Sequence, residues 1–183
     1  MSVNPLAILK RHAGHGSEAH EVLLVHSRCV AEKALAIAAR VSHLSPDLTF
    51  IEEASLLHDI GSVKTWAPGI GCRGEAPYIQ HGLLGAEILR AEGLLAHARV
   101  AERHTGAGLT AQEIASADLP LPHLDLLPET LEEKIICYAD KFFSKNPDTL
   151  TQEKSLEKVF RLMARYGESQ VKRFQELADL FEE

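Results

Sequence analysis

A histidine and an aspartate stand side by side at the end of an apolar run, in the stretch EEASLLHDIGSV at residues 52–63. The run at residues 54–57 predicts a buried helix face, so His58 and Asp59 would be buried with it. Burying an imidazole and a carboxylate is costly unless both find partners. A metal ion would be a partner for both groups, and this pair of ligand types suits iron, manganese or zinc.

Four further residues with the same ligand chemistry are predicted on apolar helix faces: His26, His81, His104 and Asp140. His26 stands four residues from both Val22 and Val30, so the three share one face of a helix. Asp140 falls on the face of Ile136, where an ionised carboxylate needs a cation. Because carboxylates can bridge two metals, these residues could form a site for one ion or for two.

In their order along the chain, these residues resemble the H…HD…D signature of the HD superfamily of metal-dependent phosphohydrolases. The sequence HDIG at residues 58–61 is the form for which one subgroup is named. His81 in QHGLLGAEILR and His104 in AERHTGAG resemble the two extra histidines of members with a two-metal site. The stretches HTGAGLTAQEI and PETLEEKIICYADK are similar to a small stand-alone HDIG group. The resemblance covers residues 20–145 and implies a helical HD-domain bundle.

The resemblance implies a role for each of the six candidate ligands. One metal would be bound by four of them: His26, His58, Asp59 and Asp140. Asp59 would bridge to a second metal held by His81 and His104, and without these two histidines the site would hold one metal. The cofactor expected is therefore a divalent metal, as two ions of iron or manganese, with magnesium, zinc and nickel as alternatives.

The activity implied by the resemblance is hydrolysis. A metal-activated hydroxide would cleave a phosphoester or phosphoanhydride of a nucleotide or another small phosphorylated metabolite. Inositol-oxygenase-type enzymes of the superfamily use the same six ligands to hold two irons, so a di-iron oxygenase is the alternative. A ligand sensor without activity is a third interpretation, which the complete ligand set disfavours. The Gly-Tyr-Pro motif that marks cyclic-di-GMP enzymes is absent, which lowers the expectation for that substrate.

Cationic and aromatic residues near the predicted ligands are candidates for substrate contacts: Lys64, Trp66, Arg73, Arg103 and Lys141. Lys64 follows the HDIG turn and is expected in catalysis with Asp59 and in phosphate binding, although many relatives carry a lysine at the place of Ser62. Lys141 would point about 100° away from Asp140 in a helix, yet it could reach a phosphate. Arg73 could bind phosphate and Trp66 could stack on a base, unless their glycine-rich loop only packs.

The other histidines are expected at the surface, in loops or on polar faces: His12, His15, His20, His43, His97 and His123. Cys29 and Cys137 are expected as small core residues. With Cys72 they make three cysteines without a CxxC pair, which disfavours a disulfide framework and a zinc ribbon.

The composition of the chain disfavours some classes of binding partner. The chain has 183 residues and a formal charge of −7, which argues against extended nucleic-acid binding and against anionic membranes. No apolar run approaches the length that spans a bilayer, and the start lacks the apolar core of a signal peptide. The expectation is a cytoplasmic protein whose partner is a small phosphorylated substrate, most naturally a nucleotide.

Hydrophobic periodicity predicts an all-α fold in one domain over residues 1–183, with the HD metal-binding core at 20–145. Helices are predicted at 4–14, 17–43, 49–61, 79–92, 94–105, after Thr110, and at 129–144, 151–166 and 167–181. Capping boxes of Thr49 with Glu52 and of Thr110 with Glu113 mark two of the starts. The C-terminal helical pair at 146–183 is expected to pack on the core or to contact a second copy in a homodimer.

Overall fold

The computed structural model describes residues 3–182, and over these residues the chain forms nine α-helices and one short hairpin. The prediction of an all-α fold is confirmed. The helices are α1 Pro5–Ala13, α2 Glu18–Arg40, α3 Leu48–Leu57, α4 His81–Ala91, α5 Leu95–Arg103, α6 Ala111–Ser116, α7 Leu131–Asp140, α8 Leu156–Met163 and α9 Glu168–Phe181. None of the helices within this range is long and apolar enough to cross a membrane.

Two predicted helix starts are confirmed by side-chain caps. The Asn4 side chain accepts a hydrogen bond from the first turn of α1, and Pro5 occupies the first helical position. At α6, Thr110 and Glu113 each accept from the other's backbone N–H in a complete capping box. These polar residues satisfy N–H groups that have no partner inside the helix.

The predicted start of the third helix is wrong. Helix α3 begins at Leu48 rather than at a capping box of Thr49 and Glu52. Its N-cap is Asp47, whose Oδ1 accepts from the N–H of Phe50 at 3.0 Å. Aspartate is as good an N-cap as threonine, so the earlier acceptor defines the boundary.

Helix α7 ends at Asp140, four residues before the predicted end at Ser144. The N–H groups of residues 141–143 bond to carbonyls three residues back rather than four. This tighter pattern closes the last turn and stops the helix. The segment that follows is therefore free to turn back toward the candidate metal ligands, which a continued helix would not allow.

The C-terminal pair packs on the two helices at the centre of the bundle. Val30 and Ile37 of α2 share one apolar cluster with Tyr138 of α7 and with Phe174 and Phe181 of α9. The rings of Tyr138 and Phe174 are stacked with their centroids 5.1 Å apart. Helices α8 and α9 therefore support the elements that carry His26 and Asp140.

The glycine-rich loop between α3 and α4 is ordered into turns and a hairpin. Strands β1 (Trp66–Ala67) and β2 (Cys72–Arg73) pair antiparallel, a short sheet that the helical periodicity did not predict. A 3₁₀ turn at Ile60–Lys64 precedes them and packs directly against α4. A Cβ atom on Gly61 would lie 2.0 Å from the carbonyl oxygen of His81, so only glycine fits at this contact.

Candidate metal centre

The six predicted ligands come from five separate helix segments and converge at one place. His26 lies inside α2, His58 and Asp59 follow α3, His81 opens α4, His104 follows α5 and Asp140 ends α7. All six side chains are buried. Five of them lie at helix ends, where the backbone changes direction and side chains from several helices can meet.

Four of these residues surround one point. The Nε2 atom of His26 lies 3.0 Å from Asp140 Oδ1 and 3.1 Å from Asp59 Oδ2. His58 Nε2 lies 3.1 Å from the same Asp59 oxygen and 3.4 Å from Asp140 Oδ1. One ligand atom from each residue lies within 4.8 Å of all the others, a spacing suited to a single metal ion.

A second group forms on the other side of Asp59. His81 Nε2 and His104 Nε2 each lie 3.4 Å from Asp59 Oδ1, and they are 3.0 Å from one another. The two carboxylate oxygens of Asp59 thus face different sets of histidines. This is the arrangement that a carboxylate bridging two metals requires.

Backbone carbonyls fix the orientation of three of the imidazoles. The Nδ1–H of His58 donates to Ser55 O at 2.6 Å, and that of His104 donates to Ala101 O at 2.7 Å. Each carbonyl lies three residues earlier, in the last turn of a helix, where carbonyls lack an intrahelical partner. His81 donates in the same way to Tyr78 O at 2.8 Å. With Nδ1 used in this way, Nε2 is the nitrogen that points into the centre.

The charges of the centre follow from its burial and its mixed composition. Burial favours the neutral acid, but His58 and Lys145 hold the pKa of Asp59 well below its ordinary value. Burial alone would lower the pKa of His58, whereas Asp59 and Asp140 raise it to about 9. Burial and the neighbouring His104 lower the pKa of His81 to about 3. The carboxylates therefore stay ionised and His81 stays neutral, which are the states that bind metals, whereas His58 carries a proton that it would release when a metal binds.

The residues present fit a divalent metal centre. Asp59 is 1% exposed, yet neither of its carboxylate oxygens accepts a hydrogen bond of ordinary geometry within residues 3–182. The Lys145 ammonium lies 2.6 Å from Oδ2, whereas Oδ1 faces the imidazoles of His81 and His104, so this buried ionised carboxylate can still bind a metal cation. Imidazole nitrogens with carboxylate oxygens are the ligands that iron, manganese and zinc accept.

Lys141 is placed differently from its prediction. It was expected to point away from Asp140, but its Nζ lies 2.6 Å from Asp140 Oδ2 and donates to His104 O at 2.8 Å. The rotation of 100° per residue applies to the Cα–Cβ directions, and the long stem of lysine folds back across it. The side chain is 9% exposed, so Lys141 belongs to the buried centre.

Lys145 is a residue of the centre that the sequence did not reveal. Its Nζ lies 2.6 Å from Asp59 Oδ2, and its side chain is 15% exposed. Burial opposes its charge, but Asp59 and then Tyr78 raise the pKa of Lys145 well above its ordinary value. Its position depends on where α7 ends, because a helix continuing to Ser144 would give the following chain a different direction.

The other candidates for substrate contacts lie farther from the ligands or have other partners. Lys64, Trp66 and Arg73 are exposed on the loop that contains the hairpin, and their roles at a substrate stay predictions. Arg103 pairs with Glu129 at 2.7 Å and donates to Leu127 O, contacts that hold the irregular chain before α7.

A cleft opens beside the centre. Its volume is about 590 Å³, and it lies between the 67–70 turn and the 144–147 segment, with Tyr78 and Lys145 in its wall. The Tyr78 ring stacks on the ligand His81, with the centroids 4.7 Å apart and 14° between the planes. A ligand in this cleft would therefore contact residues that also contact the metal ligands.

The loop after His104 is held by the last helix. The Gln170 side chain accepts from Ala107 N–H at 2.7 Å and donates to Gly108 O at 2.7 Å. Gly106 has a φ of +60°, and a Cβ there would meet the Gln170 amide oxygen at 2.7 Å. The HTGAG stretch thus has a structural explanation, since Gly106 allows a close approach to α9 and Gly108 a close approach to Leu127 and Pro128.

Two of the six histidines expected at the surface are buried, which corrects the prediction for them. His97 packs edge-on against the Phe50 ring at 4.9 Å and faces Glu53 at 3.4 Å. His20 lies 3.1 Å from Glu21 and packs against the His15 ring. An amphipathic imidazole can bury its ring carbons while a carboxylate faces its nitrogen. The others, His12, His15, His43 and His123, are exposed or half-buried, Cys29 is half-buried and Cys137 is buried.

Comparison with known proteins gives both a family and relatives. The family model of the HD domain matches residues 23–144. An uncharacterised protein of Methanocaldococcus jannaschii is 41% identical over 123 residues, which are 66% of this chain and 65% of that protein. No solved structure matches the chain.

Two tRNA (cytidine(56)-2'-O)-methyltransferases are similar over a smaller part of their length. The enzyme of Picrophilus torridus is 38% identical over 110 residues, 59% of this chain and 28% of the enzyme. The enzyme of Thermoplasma volcanium is 35% identical over 127 residues, which are 69% of this chain and 33% of the enzyme. The chain therefore spans less than two thirds of these curated relatives, and about a third of the two methyltransferases.

Proposed function

Because the chain belongs to the HD domain family, we propose that it is a metal-dependent phosphohydrolase with a two-metal centre. The reaction would cleave a phosphoester or phosphoanhydride bond of a small phosphorylated molecule. The matched segment contains all six ligands, from His26 to Asp140, so the family assignment and the site concern the same residues.

The observation that carries the proposal is that the two oxygens of one carboxylate face different pairs of histidines. Asp59 Oδ2 faces His26 and His58, and Asp59 Oδ1 faces His81 and His104. A purely structural aspartate would be satisfied by backbone or side-chain donors of good geometry. A carboxylate between two sets of inward-pointing imidazoles is suited to hold two ions together.

The residues would divide the chemistry as follows. His26, His58 and Asp140 would hold one divalent ion, His81 and His104 the other, and Asp59 both. Bound ions would supply an acidified water as nucleophile and would offset the charge that develops on the phosphoryl oxygens. The carbonyl bonds at Nδ1 keep the imidazoles oriented before any ligand arrives, so little reorganisation is needed.

The size of the cleft and the charge of the chain support a small substrate. A cleft of about 590 Å³ falls within the range of pockets for single small ligands and would admit a nucleotide. The formal charge of −7 disfavours a long nucleic acid as partner. We therefore do not extend the tRNA methylation named for the two partial relatives to this chain, whose matched segment covers a third or less of those enzymes.

The test is product release from a panel of nucleotides, dinucleoside polyphosphates and sugar phosphates. The protein is prepared without oxygen and assayed with added manganese or iron, beside Asp59→Ala and the exposed-carboxylate control Asp179→Ala. Turnover that is lost only in Asp59→Ala supports the hydrolase. Silence across the panel, together with two tightly held irons and an oxygen-dependent reaction, would assign the chain to the oxygenase alternative.

A further inference from the structure

Lys145 connects the cleft to the metal centre. Its ammonium lies 2.6 Å from Asp59 Oδ2, while its side chain also lines the wall of the cleft. It comes from the segment after α7, whose residues Ser144, Asn146 and Pro147 line the same wall. A group that enters through this cleft meets Lys145 on its way to the ligands.

The two carboxylates of the centre are already paired with ammonium groups. Two carboxylates, Asp59 and Asp140, face two ammonium groups, Lys141 and Lys145, at 2.6 Å in each pair. Each divalent ion that binds therefore adds positive charge that no described side chain of the centre offsets. A bound anion would offset this charge, and a more highly charged anion would offset more of it.

The two lysines differ in whether they have an N–H donor available for a ligand. Lys141 is 9% exposed and already donates to His104 O besides facing Asp140, so its direction is fixed by the fold. Lys145 faces one carboxylate oxygen and Tyr78, whose hydroxyl is a hydrogen-bond partner and whose ring centroid lies 5.9 Å from the ammonium. An ammonium has three N–H donors, which leaves Lys145 with a donor for a ligand in the cleft.

We propose that Lys145 binds the phosphate group of the substrate, and that the site is built for a terminal phosphate rather than for a phosphodiester. This inference rests on the proposed hydrolase function and narrows its substrate class. A terminal phosphate carries about two negative charges at neutral pH, whereas a diester carries about one. The dianion matches the positive charge that the metals and Lys145 leave uncompensated. Lys145 thereby takes a phosphate-binding role of the kind that the sequence analysis expected for Lys64.

The first arm of the test measures binding of inorganic phosphate to the manganese-loaded protein by isothermal titration calorimetry. Lys145→Met is expected to bind phosphate roughly tenfold or more weakly, because a charge-assisted hydrogen bond is lost. Lys145→Arg should retain part of the binding, and the exposed control Lys172→Met should bind as the unchanged protein does. Manganese content is measured on the same samples and should stay equal among them.

The second arm compares rates on p-nitrophenyl phosphate, a monoester, and bis-p-nitrophenyl phosphate, a diester. The monoester is expected to be cleaved faster, and Lys145→Met should reduce its rate more than the diester rate. Unchanged phosphate affinity in Lys145→Met, equal loss in Lys172→Met, loss of manganese with Lys145 or preference for the diester would each overturn the inference. If neither these esters nor any compound of the nucleotide and sugar-phosphate panel is cleaved while phosphate binding still depends on Lys145, the hydrolase proposal fails and the phosphate site stands.

Discussion

The Nε2 atoms of His81 and His104 lie 3.0 Å apart although the two residues stand at the ends of different helices. Both rings donate their Nδ1–H to a backbone carbonyl, to Tyr78 O and to Ala101 O. In the neutral rings each Nε2 therefore carries a lone pair, and two lone pairs at this distance repel. A cation between them and Asp59 would remove the repulsion, so the geometry is suited to an ion at this place.

Metal binding should stabilise the fold. At a free metal concentration of about 100 times Kd, a single site adds about 2.7 kcal/mol to the free energy of unfolding. For a domain of this size this corresponds to a rise in Tm of roughly 5–10 °C. The measurement is a thermal melt of chelator-treated protein with and without manganese. Asp59→Ala should lose most of the shift, and an equal shift in that variant would contradict the shared role of Asp59.

The two halves of the centre should be separable. His81→Ala and His104→Ala each remove a ligand of the second group alone, so each variant should keep about one metal where the unchanged protein keeps two. Metal content per chain, measured by atomic emission after dialysis, gives the count. His123→Ala removes an exposed histidine and serves as the control. Loss of both metals in His81→Ala would show that the two halves do not bind independently.

Gly61 should be essential for the approach of α4 to the centre. Alanine at this position would place its Cβ 2.0 Å from His81 O and 2.1 Å from Gly85 N, both backbone atoms that cannot rotate away. We expect Gly61→Ala to cost about 3 kcal/mol or more in urea unfolding, because the helix must shift. Gly69 has open space around the same atom, so Gly69→Ala is the matched control. Near-equal stability of the two variants would refute the contact.

Glu113 should contribute stability that depends on pH. Burial favours its neutral form, but Arg173 at 2.7 Å and the hydroxyl of Ser169 lower the pKa of Glu113 to about 2 from an ordinary value of 4.5. A lowered folded-state pKa gives stability that is present above pH 4.5 and is lost as the pH falls through 2.

Replacement of Glu113 by glutamine tests this contribution. We expect Glu113→Gln to lose about 1–3 kcal/mol in the free energy of unfolding at pH 7. The difference from the unchanged protein should shrink when urea unfolding is repeated at progressively lower pH between 4.5 and 2. A difference that is constant over this range would assign the cost to packing instead of charge.

The six candidate ligands, which the structure brings together, could be selected from the sequence for a definite physical reason. A histidine or aspartate at helical spacing from apolar residues, as His26 is from Val22 and Val30, must be buried and must have a partner. The spacing says which face each residue occupies on its own helix. Spacing does not say that the faces meet, because this depends on how the helices pack. The expectation that they meet came from the resemblance to a known family, in which the ligands occur in the same order.

The lysines show where sequence reasoning stops. The directions of Lys141 and Lys145 depend on the end of α7 at Asp140. Residues 141–144 contain no glycine or proline that would predict this helix end. When the predicted helix end is wrong by four residues, about one helical turn, the direction of the following side chains cannot be predicted. The flexible stem of lysine adds a second uncertainty, since its ammonium can lie far from the direction of its Cβ.

Gln170 has a consequence for the boundaries of the unit that folds. The family match stops at residue 144, yet the loop that follows the ligand His104 is hydrogen-bonded to a glutamine in α9. A fragment that ended at residue 144 would keep all six candidate ligands but would lose the Gln170 amide, which holds the loop after His104. The unit that folds around the centre therefore extends beyond the match as far as α9, and the six candidate ligands alone do not define it.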